Sequence, residues 1–84
     1  MTNLEHLNSL AAHGAKVGSD HGWVTPDEDF YNAELDNIHR YSMVVAITYD
    51  LKLPDLDGDF ALTIWRDGHI DSGSRESMQR ILDR

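Results

Sequence analysis

Residues 41–51, YSMVVAITYDL, alternate over eleven positions. Tyr41, Met43, Val45, Ile47, Tyr49 and Leu51 fall on one side of a two-residue repeat, and Ser42, Val44, Ala46, Thr48 and Asp50 on the other. A period of two, rich in β-branched and aromatic side chains, is what a strand with one buried face requires. The rival reading continues the preceding helix, since Ile38, Tyr41 and Val45 also share a helical face. The length of the alternation favours the strand, and a strand demands a sheet.

Partners for it follow downstream. Phe60, Leu62 and Ile64 alternate with Ala61, Thr63 and Trp65, which predicts a second strand over 60–65 paired with the first. Asp67-Gly68 stands at the centre of RDGH, a strong hairpin signal. A short third strand is expected over His69–Ser72, broken by Gly73 and Ser74. Ser74 then caps a helix whose apolar face is Met78, Ile81 and Leu82.

The N-terminal part is helical in pattern. Thr2 and Glu5 have the spacing of a reciprocal cap, and Leu4, Leu7, Leu10 and Ala11 fall on one face up to a stop at Gly14 or Gly18. GSDHGW is expected to be a turn-rich connector. In TPDE, Thr25 is expected to cap, Pro26 to take the first helical position and Glu28 to complete the box. Tyr31, Leu35 and Ile38, flanked by Phe30, form the apolar stripe, with Asp29, Asn32 and Asp36 opposite, toward solvent. The expectation is a single acidic α+β domain over 1–84: a three-stranded antiparallel β-meander packed with two N-terminal helices and one C-terminal helix.

Charge limits what such a domain can bind. The net charge is −8, and it is segregated. Residues 20–59 carry ten acids against two bases, Arg40 and Lys52, whereas five acids and five bases balance in the flanks. An acidic middle repels nucleic-acid phosphates and anionic membranes, and favours a basic protein partner or a cation. The competing explanation is solubility alone. No cysteine is present, which excludes disulfides, thiolate zinc sites and a thiol nucleophile. The N-terminus lacks a basic start and a long apolar run, so no secretory signal is expected, and the run MVVAI is too short to span a bilayer.

The chemical motifs are weak. PDLDGDF places Asp55, Asp57 and Asp59 like the first three ligands of a helix–loop–helix calcium site. Position six of that loop would be Phe60 instead of glycine, and position twelve Arg66 instead of glutamate, so a polar connection shaped by Pro54 and Gly58 is the better reading. The five histidines show no zinc spacing. HIDSGS brings His69, Asp71, Ser72 and Ser74 together in sequence, but in a strand His69 and Asp71 share a face from which Ser72 points away, and no oxyanion hole is evident. Gly73 ahead of a helix start could take a phosphate, without a glycine-rich fingerprint to support it. Trp65 is either core, if helices cover both sheet faces, or an exposed anchor.

The expectation is therefore a non-enzymatic binding protein, without cofactor or metal, in the cytoplasm. It would be an inhibitor or adaptor whose acidic face occupies a basic protein surface, such as that of a nucleic-acid-binding complex. In size and charge it resembles phage-encoded anti-CRISPR and phosphate-mimicking proteins. The expected contact residues are Asp29, Glu34, Asp36, Asp50, Asp55, Asp57, Asp59 and Trp65. The alternatives are a metal- or ligand-binding accessory domain of an enzyme, and a homodimer built through a sheet edge or the Trp65 face. Calorimetric titration with calcium is expected to show no micromolar binding. Such binding, lost in Asp57→Asn, would restore the calcium loop.

Overall fold

The computed structural model of the chain describes residues 2–83. The element order is α1 (Asn3–Ala12), β1 (Lys16–Ser19), β2 (Gly22–Val24), α2 (Glu28–Arg40), β3 (Ala46–Lys52), β4 (Phe60–Trp65), β5 (Ile70–Ser74) and α3 (Arg75–Leu82). The five strands form one antiparallel sheet in the order β2-β1-β3-β4-β5. The class is α+β, as the residue patterns predict.

Local chemistry sets the helix starts. Thr2 Oγ1 accepts from the Glu5 N–H at 3.1 Å at the start of α1, and Ser74 Oγ accepts from Ser77 N–H at 3.1 Å at the start of α3. At α2 the cap is Asp27, whose Oδ1 accepts from Phe30 N–H at 2.9 Å, not Thr25. Pro26 is buried ahead of the helix instead of opening its first turn. A carboxylate cap two residues further on serves the same orphan amides and also meets the positive end of the helix dipole.

Register places the core. Tyr49 pairs with Leu62, Leu51 with Phe60, Ile47 with Ile64, Ile64 with Ile70 and Val17 with Leu51. These residues share one sheet face, since side chains alternate along a strand. Leu7 of α1 and Ile38 of α2, both fully buried, cover that face and join Val17, Leu62 and Ile64 in the core cluster. The opposite face carries Ala61 and Thr63, also fully buried, and is covered by α3, whose Met78 Cε lies 3.6 Å from where a Cβ on Gly73 would sit. Thr63 keeps its hydroxyl satisfied by Thr48 Oγ1 at 3.0 Å.

The sheet has five strands, not three. Residues 18–23, GSDHGW, expected to be a connector, lie inside the β1–β2 hairpin of residues 16–24, whose Asp20-His21 tip is held by Ser19: its Oγ accepts from His21 N–H and donates to Gly22 O. Strands of four and three residues are too short for alternation to be read. At the other end, β5 runs through Gly73 to Ser74, because Phe60 pairs with Ser74 and Ala61 with Gly73.

The strand expected over 41–51 begins only at Ala46. Arg66 supplies the reason. Its Nη1 lies 3.0, 3.0 and 3.1 Å from the carbonyl oxygens of Ile38, Tyr41 and Val44. Val44 N–H also donates to Tyr41 O, so the chain turns where the alternation suggested it would run straight. The β4–β5 hairpin that follows Arg66 is anchored as well. Gly68 adopts φ +96°, and its carbonyl accepts from Tyr31 Oη at 2.5 Å and from Asn3 Nδ2 at 2.6 Å, tying α2 and α1 to the same turn.

Arg66→Met keeps most of the aliphatic stem and removes the donors. It is expected to lower stability by about 2 kcal/mol, the scale of losing charge-assisted hydrogen bonds. Urea denaturation checks this, with faster amide exchange expected over residues 41–45.

Candidate interaction surface

The expected contact residues come from four parts of the chain: α2, β3, the 53–59 connection and the end of β4. Asp29 and Asp36 stand nearly two turns apart on α2, both exposed. Glu34 projects from the same helix toward the sheet and is half-buried. Tyr49 of β3 donates to Glu34 Oε2 at 2.6 Å. Burial, then this hydrogen bond, then the charges of Glu34 and Asp20 push the Tyr49 phenol far above its ordinary value of 10.0. Asp20, at the tip of the β1–β2 hairpin, lines the same cleft as Glu34 and Tyr49.

Asp50 alternates with Tyr49 and Leu51 and so lies on the other face of the sheet, ion-paired with Arg75 of α3. Asp59 lines a cleft with Asp50 and Arg75, and its carbonyl accepts from Arg75 N–H. Asp55 lines a separate, mainly apolar cleft with Leu10 and His13 of α1. Asp57 is exposed in the 53–59 connection. The expected acids are thus distributed over several surfaces. Asp29 and Glu34 share a groove beside the β1–β2 hairpin, whereas the loop acids face α1 and α3.

Trp65 is half-buried at the end of β4. Its Nε1 donates to Asp71 Oδ2 at 2.7 Å and its ring stacks on His69, with centroids 5.2 Å apart. His69 also meets Asp67, Nδ1 to Oδ1, at 2.5 Å. Hydrogen bonds from the backbone and then the ring of His69 hold the Asp67 carboxyl below its usual range. This cluster organises the hairpin tip. On the opposite side of β5, Ser72 Oγ pairs with His6 Nε2 at 2.7 Å. That pairing crosses sixty-six positions and was not visible in HIDSGS. No third group orients the imidazole among the described residues, and neither side chain lines the clefts described here.

The described residues hold no group of three His, Asp or Glu side chains fit to bind a metal ion, and no helix long and apolar enough to cross a membrane. Comparison with family models, with curated proteins and with solved structures gives no match to this chain.

The Tyr49–Glu34 contact has a pH signature. The folded phenol titrates above the unfolded one, so its contribution to stability is complete below about pH 10 and declines as pH rises through the folded value. Thermal melts are expected to show stability falling above about pH 10 in the native chain, with a shallower fall in Tyr49→Phe. At neutral pH the same substitution is expected to cost about 1 kcal/mol for the lost hydrogen bond.

Proposed function

We propose that this chain is a non-enzymatic, cytoplasmic binding protein, an inhibitor or adaptor, that occupies a basic surface on a partner protein with the acids of α2 and the neighbouring hairpin. The observation that carries the reading is how the chain spends its own cations. Lys16 donates to Thr25, Lys52 lies over the Trp23 ring, and Arg66 serves three carbonyls. Arg75 pairs with Asp50 and Arg80 with Glu76. Of the ten acids between residues 20 and 59, only Asp50 has a lysine or arginine ion-pair partner among the described residues. Asp29 and Asp36 serve no cap and accept no hydrogen bond within the described residues. Arg40, exposed at the end of α2, is the one lysine or arginine on that helix against four acids, Glu28, Asp29, Glu34 and Asp36. The net acidic, exposed helix attracts external lysine and arginine, steering encounter at long range.

Each exposed pair contributes only about 0–1 kcal/mol, so affinity on this surface must be collective and salt-sensitive. A partner recovered from lysate of the source cell at low ionic strength is expected to be released as salt rises, because charges are screened beyond about 8 Å at ~0.15 M. Reversal to lysine at Asp29 and Asp36 together is expected to weaken that complex about tenfold or more with the circular-dichroism spectrum unchanged. Adding Asp57→Lys, on the separate loop surface, measures how far the contact extends. Normal binding by all these variants, unaffected by salt, would overturn the electrostatic reading and direct attention to the aromatic cluster at Trp65.

A further inference from the structure

The β3 strand is paired over six of its seven residues on one side and over only two on the other. Toward β4 it is matched from Ala46↔Trp65 to Leu51↔Phe60, and Arg66 N–H extends the ladder to Val45 O at 2.8 Å. Toward β1 it is matched only at Leu51 and Lys52, because β1 ends at Ser19 and the chain turns back through Asp20-His21. In an antiparallel ladder, residues alternate between those bonded to one neighbour and those facing the other. The Arg66–Val45 bond sets that phase. Ile47, Tyr49 and Leu51 bond toward β4, so the backbone N–H and C=O of Ala46 and Thr48 face the side that β1 does not reach. Among the described residues, no turn or side-chain hydrogen bond takes these groups.

What lies beside this edge is shaped and charged. An open cleft of about 520 Å³ runs along it, lined by Gly18 and Asp20 of the hairpin, Glu34 of α2, and Thr48, Tyr49 and Asp50 of β3. Its titratable lining residues are carboxylates and one phenol, with no lysine or arginine. Asp50 is neutralised by Arg75, but Asp20 and Glu34 are not, and Glu34 Oε1 has no hydrogen-bond partner among the described residues. At the start of the edge Tyr41, Met43 and Val45 are 59%, 89% and 64% exposed, a run of large apolar side chains left uncovered by any element of the fold.

We propose that this edge is the centre of the docking site within the acidic surface, and that its occupant is an extended basic segment of a partner protein that adds a strand beside β3. Backbone bonds to Thr48 and Ala46 supply the pairing, a lysine or arginine enters between Asp20 and Glu34, and an apolar side chain rests on Met43 and Val45. The inference rests on the acidic-binder reading above and narrows it to one site. A second copy of this chain is the weaker occupant, because it would bring its own Asp20 and Glu34 to the same cleft, acid against acid.

The test is an amide-shift titration of the full ¹⁵N-labelled chain with a capped heptapeptide, Lys-Val-Lys-Val-Lys-Val-Lys, at low salt. Saturable shifts are expected at Ala46, Thr48, Asp20 and Glu34. The same peptide N-methylated at alternate residues keeps every charge and loses the strand-pairing donors, and is expected to bind about tenfold more weakly. Glu34→Gln, which can still accept from Tyr49, and Asp20→Asn are each expected to weaken the unmethylated peptide about two- to fivefold. Equal affinity for both peptides, with shifts spread over Asp29, Asp36 and Asp57, would overturn the edge site while leaving the acidic-surface reading standing. No shift with either peptide would also overturn the edge site, and the salt-dependent capture described above would then decide the wider reading independently. Concentration-dependent shifts at Ala46 and Thr48 without peptide would make a second copy the occupant and overturn the proposal.

Discussion

One guanidinium organises the centre of this fold. Arg66 follows directly on β4 and reaches the last carbonyls of α2 and the chain that leaves it. A cation at a helix C-terminus complements the helix dipole, and its donors take up carbonyls that the helix itself cannot satisfy. The backbone around it is engaged as well: Arg66 N–H bonds to Val45 O, and Arg66 O meets His39 Nε2 at 2.8 Å. The junction therefore seats Ile38 in the core, turns the chain at residues 41–44, and sets where β3 begins. The exposed run at Met43 and Val45 and the phase of the open β3 edge both follow from it.

The remaining charges are distributed unevenly. Most bases engage the chain's own groups at or near the surface, carbonyls, a hydroxyl, an indole and two carboxylates, while most acids of the middle segment have no basic partner among the described residues. Such an arrangement costs some self-repulsion, which a small chain tolerates when the acids are exposed and screened. Tyr49 shows where the division reaches the interior. A mostly buried phenol donates to Glu34, so a carboxylate can stand at the margin of the core without being orphaned there. That contact also fixes the position of Glu34, one of the expected contact residues.

The three helices are not equivalent. The first two close the main core from one side, and α3 closes the other over Ala61 and Thr63. Trp65 shares that second face, yet it lies beyond the helix and is held half-buried by Asp71 and His69. The two alternatives open from sequence, core or exposed anchor, meet in one residue: its ring is partly covered, and its indole N–H is already taken.

The sequence by itself determined what depends on neighbours in the chain. Thr2 with Glu5, Ser74 ahead of α3, the Tyr31–Leu35–Ile38 stripe, the Phe60–Trp65 alternation and the Asp67-Gly68 hairpin are all local, and each was legible because its physics lies within one turn or one strand. Tertiary structure decided the rest. The β1–β2 hairpin is too short to show a period and exists because Val17 fits against Leu51. Residues 41–45 have strand chemistry but lose strand geometry to an arginine more than twenty positions away. The acids are concentrated in one stretch of sequence, yet alternation across β3 sends Asp50 to the face opposite Tyr49 and pairs it with Arg75, while Glu34 bonds the Tyr49 hydroxyl and Asp20, from a separate element, lines the same cleft. Charge count is a property of the chain. Where that charge acts depends on which strand edges and faces the packing leaves open, and only long-range pairing settles that.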